Sequence, residues 1–160
     1  MRIALLIVLA LCCFTACTSP PVYEDNISID EYDWFYKDTL SFSFELKDTS
    51  QRYNFFINVR HTDAFDYANL WVNVETVYPN GESQSGSVNL PMADKKGKWY
   101  GSGLGDIFSN ETLTNEVMIQ QNAQLPLSGT YQFKISQFMR VDPLPNVMDI
   151  GVIIRKAEEG

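Results

Sequence analysis

Beyond residue 17 the sequence has no cysteine, it holds a single histidine, and none of its apolar runs is as long as a bilayer-crossing helix. Each scarcity removes a class of chemistry. Without a thiol past Cys17, the body of the chain has no internal disulfide and no thiolate nucleophile. His61 cannot supply the histidine pairs that most zinc sites use, and its neighbours Asp63 and Asp66 fall outside any D-x-D-x-D-G calcium loop. No G-x-S-x-G singles out a nucleophilic serine for His61 to activate. Paired carboxylates for glycoside hydrolysis arise freely among 20 acidic residues in 160, so no pair stands out. Basic charge is scarce as well: 12 Lys and Arg against those acids give a formal charge of −8. That balance argues against nucleic acid as a partner and against attraction to an anionic lipid surface. The reading is a non-enzyme, with no catalytic residue, no cofactor and no metal.

All three cysteines lie in the opening MRIALLIVLALCCFTAC. One basic residue, Arg2, precedes an apolar run from Ile3 to Phe14, and small residues lead up to Cys17. That order reads as an export signal, and the run falls short of the roughly 18 apolar residues a spanning helix needs, so cleavage is expected. Its end, FTAC, resembles the lipobox of bacterial lipoproteins, with Phe14 where leucine is usual. The resemblance implies that residues 1–16 are a lipoprotein signal peptide and that Cys17 becomes the lipid anchor. One acyl chain, at about 0.8 kcal/mol per buried CH₂, gives marginal membrane binding, and two or three hold stably. Thr18 rather than Asp follows the cysteine, which favours passage to the outer membrane and leaves the leaflet open. Residues 17–30, with Pro20 and Pro21, are read as an extended tether, and 31–160 as one domain, a length that a single core accommodates.

Within that domain apolar residues recur with period two. Leu40, Phe42, Phe44 and Leu46 alternate with Ser41, Ser43 and Glu45, and Tyr53, Phe55, Ile57 and Val59 alternate with Asn54, Phe56, Asn58 and Arg60. Leu70, Val72 and Val74, then Tyr131, Phe133 and Ile135, then Ile150, Val152 and Ile154 continue the pattern. Each set reads as a strand with one buried face. Turn-forming stretches separate them: KDTSQ, PNGES, DKKG, PLSG and DPLPN. Residues 112–123 suit an edge strand or a short helix equally. The expected fold is all-β, an antiparallel β-sandwich of jelly-roll-like or Ig-like type.

The stretch GKWYGSGLGD, Gly97 to Asp106, invites a phosphate-loop reading, yet Asp106 stands where a third glycine would, and no helix of useful length follows. Turn-making glycines beside packed aromatics explain it better. Among the tryptophans, Trp71 lies opposite Leu70, Val72 and Val74 by alternation and so faces outward, while Trp99 sits in the glycine stretch. Both are candidate contacts for a protein partner, where Trp anchors are enriched, or for the rings of a glycan. Arg140 is expected to pair with Asp142 or Asp149 as a structural cation.

Five segments, YNFFINVRH, YANLW, LPMADKKGKWYGSGLGD, GTYQFKISQFMR and DIG, resemble in order and spacing the gliding-motility lipoprotein GldH family of Bacteroidetes. With the lipobox, they extend from the signal to within ten residues of the end. The resemblance implies a cell-envelope lipoprotein in company with other envelope proteins of the gliding or secretion apparatus. It brings no catalytic residue with it.

Overall fold

The chain joins the fold earlier than the tether reading places it. The computed structural model describes residues 20–104, 107–109 and 117–158, and already at Tyr23–Ser28 it forms a strand, β1, paired antiparallel with the last strand. Too few apolar residues mark YEDNIS for the alternation to be visible. The strands that follow are β2 (Leu40–Leu46), β3 (Arg52–Thr62), β4 (Asn69–Val77), β5 (Ser83–Pro91), β6 (Ser102–Leu104), β7 (Ile107–Ser109), β8 (Val117–Gln124), β9 (Gly129–Gln137) and β10 (Val147–Lys156), and the only helical element among the described residues is a 3₁₀ turn at Asp30–Tyr32. The ambiguous segment at 112–123 is therefore a strand from Val117 onward, and its first five residues lie outside the described ones.

These strands form a sandwich. One sheet has six strands, in the order β1-β10-β3-β7-β6 with β8 also on β3, and the other has four, β2-β9-β4-β5. Between them sit the residues that alternation selected. Phe44 shows how the layers lock: its ring lies 5.1 Å from Phe133 of its own sheet, edge to face, and 6.3 Å from Phe55 across the core. Phe55 in turn meets Phe133 at 5.5 Å. Such aromatic pairs add about 0.5–1.5 kcal/mol each beyond the burial of their area. Trp34, fully buried, plugs one end of the core and donates its indole N–H to the Asp38 carbonyl at 2.8 Å.

The outer faces of the two sheets differ. On the four-stranded sheet Ser41, Ser43, Ser85 and Ser87 face solvent. On the six-stranded sheet Asn58 and Ile153 are each 1% exposed, and Arg60 pairs with the buried Asp149. At Gly151 an added Cβ would lie 2.0 Å from Asn26 Oδ1, so glycine is what lets that side chain cross the strand.

The glycine stretch is a turn, as expected, as far as it is described. Gly97 has φ of 81°, and the Asp94 carboxylate accepts the N–H groups of Lys96 and Lys98 at 2.7 and 2.9 Å. Trp99 bridges back to Ala93, and the chain runs on into β6 rather than into a helix. Gly105 and Asp106 lie outside the described residues.

Strand direction gives the sandwich two distinct ends. The chain enters at Val22, whose N–H bonds Ile154, beside the turns at 47–51, 78–82 and 125–128. At the opposite end lie the 3₁₀ turn and the connections at 63–68, 92–101 and 138–146.

Candidate functional site

A groove of about 750 Å³ opens at the end away from the chain entry, lined by Tyr36, Tyr67, Trp71, Phe138, Arg140 and their neighbours. Trp71 reaches it because β4 turns its odd-numbered residues outward, opposite the buried Leu70 and Val72. Phe138 follows the last residue of β9, and its N–H bonds the Trp71 carbonyl at 2.8 Å, which sets the two residues next to each other where β4 and β9 adjoin. Tyr36 comes from the connection before β2, 102 residues away in sequence, and is tied in by its hydroxyl, which donates to the Met139 carbonyl at 2.7 Å. Its own N–H donates to Asp142 at 2.8 Å.

The wall is held from below by a buried amide. Gln137 donates from Nε2 to the Val141 carbonyl at 2.9 Å and accepts the Met139 N–H at 2.8 Å, so the 138–141 loop closes around its side chain. The Met139 sulfur accepts the Trp71 N–H at 3.2 Å. The rings are nevertheless open to water: Tyr36 is 45% exposed, Trp71 40% and Phe138 55%. Large apolar side chains clustered on a surface, rather than scattered singly, mark an interaction site.

Trp99 does not join this platform. Its ring lies 4.6 Å from His61 and 6.3 Å from Phe65, half-buried, and Phe65 contacts Tyr67 at 5.6 Å. The tryptophan therefore stands behind the groove, at the far end of a line of rings that ends at Tyr67. His61 is buried in the same cluster with Nδ1 2.7 Å from the Thr62 carbonyl, and burial pushes its imidazole below the usual value. Asp63 and Asp66 are exposed, and no three His, Cys, Asp or Glu side chains gather to hold a metal among the described residues. Cys17 lies outside the described residues.

The expected pairing of Arg140 is corrected. Asp149 is taken by Arg60 and Asp142 accepts the Tyr36 N–H, so Arg140 is left at the groove, with no ion pair among the described residues. Sequence reading also misses Tyr36, Tyr67 and Phe138. They lie in connections without periodicity, and only the strand order that sets β9 between β2 and β4 brings them together. Among the described residues no helix is long and apolar enough to cross a membrane.

Fold and groove together define a class: an all-β sandwich domain with an aromatic-lined groove at one end. Within that class the chain belongs to the GldH lipoprotein family, whose model matches residues 21–154. It is 29% identical over 153 residues to the gliding motility lipoprotein GldH homolog of Christiangramia forsetii, covering 91% of this chain and 90% of that protein. To the gliding motility lipoprotein GldH of Flavobacterium johnsoniae it is 22% identical over 160 residues, covering 96% of each. Among solved structures, a carbohydrate-binding module specific for non-crystalline cellulose superposes with a TM-score of 0.44 at 9% identity, covering 84% of this chain and 73% of the module. The VP2 subviral particle of infectious bursal disease virus gives 0.37 at 11%, covering 84% and 32%. Neither of these two structural likenesses bears on function.

Proposed function

We propose that this protein is an outer-membrane lipoprotein of the gliding-motility machinery that works as a non-enzymatic adaptor, anchored through Cys17 and engaging another envelope protein through the groove around Trp71. The observation that supports it is the opposition of anchor and groove. From Cys17 to Val22 the chain reaches no more than about 17 Å, so the entry end is held close to the bilayer. The 11 residues of β3 span about 36 Å, and the groove opens near the far end of that length. A groove presented away from lipid, with exposed Trp, Tyr and Phe beside an arginine, has the composition of a protein-contact hot spot.

Family membership supports the pathway, since the two relatives are named for gliding motility. The test separates anchor from contact. Cys17→Ala is expected to move the protein from the membrane to the soluble fraction of the envelope. Trp71→Ala with Phe138→Ala should leave it at the membrane and remove the envelope proteins that crosslink to the wild type. An unchanged crosslinking pattern in the double variant would reject the groove as the contact.

A second reading rests on the same rings. Tyr36, Tyr67 and Trp71 border the groove with Asn69 and Arg140 beside them, the mixture of ring faces and hydrogen-bonding groups that a pyranose needs. On this reading the protein is a glycan-binding lipoprotein. Retention on a neutral polysaccharide, lost in Trp71→Ala, would replace the adaptor reading with this one.

A further inference from the structure

Strand β5 is the outer edge of the four-stranded sheet, and it lacks the devices that normally guard an edge. Its sequence, SQSGSVNLP, carries no charge, its only proline is the last residue, and its register against β4 runs without a bulge from Val77–Ser83 to Asn69–Pro91. The other edge strands among the described residues are charged, short or irregular: β1 has Glu24 and Asp25, β2 has Glu45 with Lys47 just beyond it, β6 has three residues, and the register of β8 against β3 shifts twice. Natural sheets use such charges, prolines and bulges to stop a free edge from pairing with another chain.

The ladder shows which groups are on offer. The Tyr78 N–H bonds Glu82 at one end of the hairpin, and the Met92 N–H bonds Ala68 at the other. Antiparallel pairs alternate between bonded and non-bonded, so Gln84, Gly86, Val88 and Leu90 spend their backbone groups on β4. Ser83, Ser85, Ser87 and Asn89 aim theirs outward, where no described residue bonds them.

A second feature lies beside that row. Where β5 meets β8 the two sheets stand apart, and a cleft of about 280 Å³ opens between them, with Phe55, Val74, Val88, Ile119 and Phe133 among its walls. Among the described residues no charged side chain lines it. Gly86 leaves the mouth open, since a Cβ built there meets nothing within 4 Å.

We propose that β5 is a docking edge for an extended, uncharged segment of another protein, which adds a fifth strand to this sheet and inserts alternate apolar side chains into the cleft. Backbone bonds to Ser83, Ser85, Ser87 and Asn89 give the binding its register, and the cleft selects every second residue. Charge decides against an acidic or basic segment, because a strip that is neutral on a chain of formal charge −8 offers no counter-ion to a side chain desolvated in the cleft. A second copy is a poor occupant: pairing β5 with β5 would turn Gln84, Gly86 and Val88 toward the cleft and leave it largely unfilled. The site stands apart from the groove around Trp71 and does not depend on that reading.

The test uses the purified full-length protein in detergent and a fluorescein-labelled ten-residue peptide of alternating threonine and valine. Saturable binding is expected, with slowed amide exchange at Ser85, Ser87 and Asn89. Gly86→Leu, which fills the mouth, should weaken binding at least tenfold, and so should Ser87→Pro, which removes an outward N–H that β4 does not use. Circular dichroism and melting curves establish that each variant is folded, and Gly86→Leu suffices if the proline variant is not. A peptide with aspartate in place of valine should bind at least tenfold more weakly. Binding that both folded variants retain, protection elsewhere on the molecule, or no binding at all overturns the proposal. Concentration-dependent self-association that protects the same amides without peptide overturns the choice of a foreign segment.

Discussion

The outer face of the four-stranded sheet departs from its core face residue by residue, whereas in the six-stranded sheet the outer face is as sheltered as the core along most of β10. Strand β2 alternates buried and exposed along its whole length, while the first eight residues of β10 are all buried. The sequence carries that difference: Ser41, Ser43 and Glu45 separate the apolar residues of β2, but Val152, Ile153 and Ile154 run together in β10. Period-two alternation reports one wet face, and consecutive β-branched residues report two dry ones. The same contrast holds for charge. The Lys134–Glu75 pair lies half-exposed at 3.5 Å on one face, and on the other Arg60 reaches a buried Asp149.

Matched substitutions on the two faces can break or sharpen this contrast. The largest difference is expected for Ile153→Ala, which should cost about 2–4 kcal/mol by chemical denaturation, against less than about 0.5 kcal/mol for Ser43→Ala. Equal small losses would mean that Ile153 is not packed. Next come the ion pairs: Arg60→Met leaves Asp149 buried without its cation and should cost about 2–3 kcal/mol, while Lys134→Met should change stability by about 0–1 kcal/mol. Smaller again are the glycines. Gly151→Ala drives a methyl group into Asn26 and is expected to lose about 1–2 kcal/mol with faster amide exchange along β1, whereas Gly86→Ala has open space and should gain up to about 1 kcal/mol.

The smallest effect is on pH. Burial holds the His61 imidazole below its ordinary value of 6.5, so on acidification the unfolded chain takes up the proton first. The stability that neutral His61 preserves is complete above that value and is lost as pH falls through it toward the folded-state pKa. The urea midpoint should therefore drop between pH 7.5 and pH 5.5, and His61→Phe should flatten that stretch of the profile.

How much is legible in the sequence follows from the same contrast. Strands β2, β3, β4, β9 and β10 are readable because each carries an apolar set at period two, and parity with Leu70 and Val72 places Trp71 outward. Strand β5 is not, because a solvent-facing edge needs few apolar residues, and SQSGSVNLP has only Val88 and Leu90 to show. β1 hides in the tether for the same reason. Of the groove, one residue in the strand interior is visible and its companions in the connections are not. Their meeting depends on strand order, which no local pattern encodes.

The pairing of β1 with β10 carries a mechanical consequence. The chain leaves β1 toward one end of the sandwich and the groove opens at the other, so under the proposed function a load between the anchor and a partner in the groove runs along the strands. Tension of that direction shears the six-residue ladder of β1 instead of peeling it. Its bonds must then slip together rather than open in succession, and a small domain loaded in this way can transmit a pull without unravelling from its leading strand.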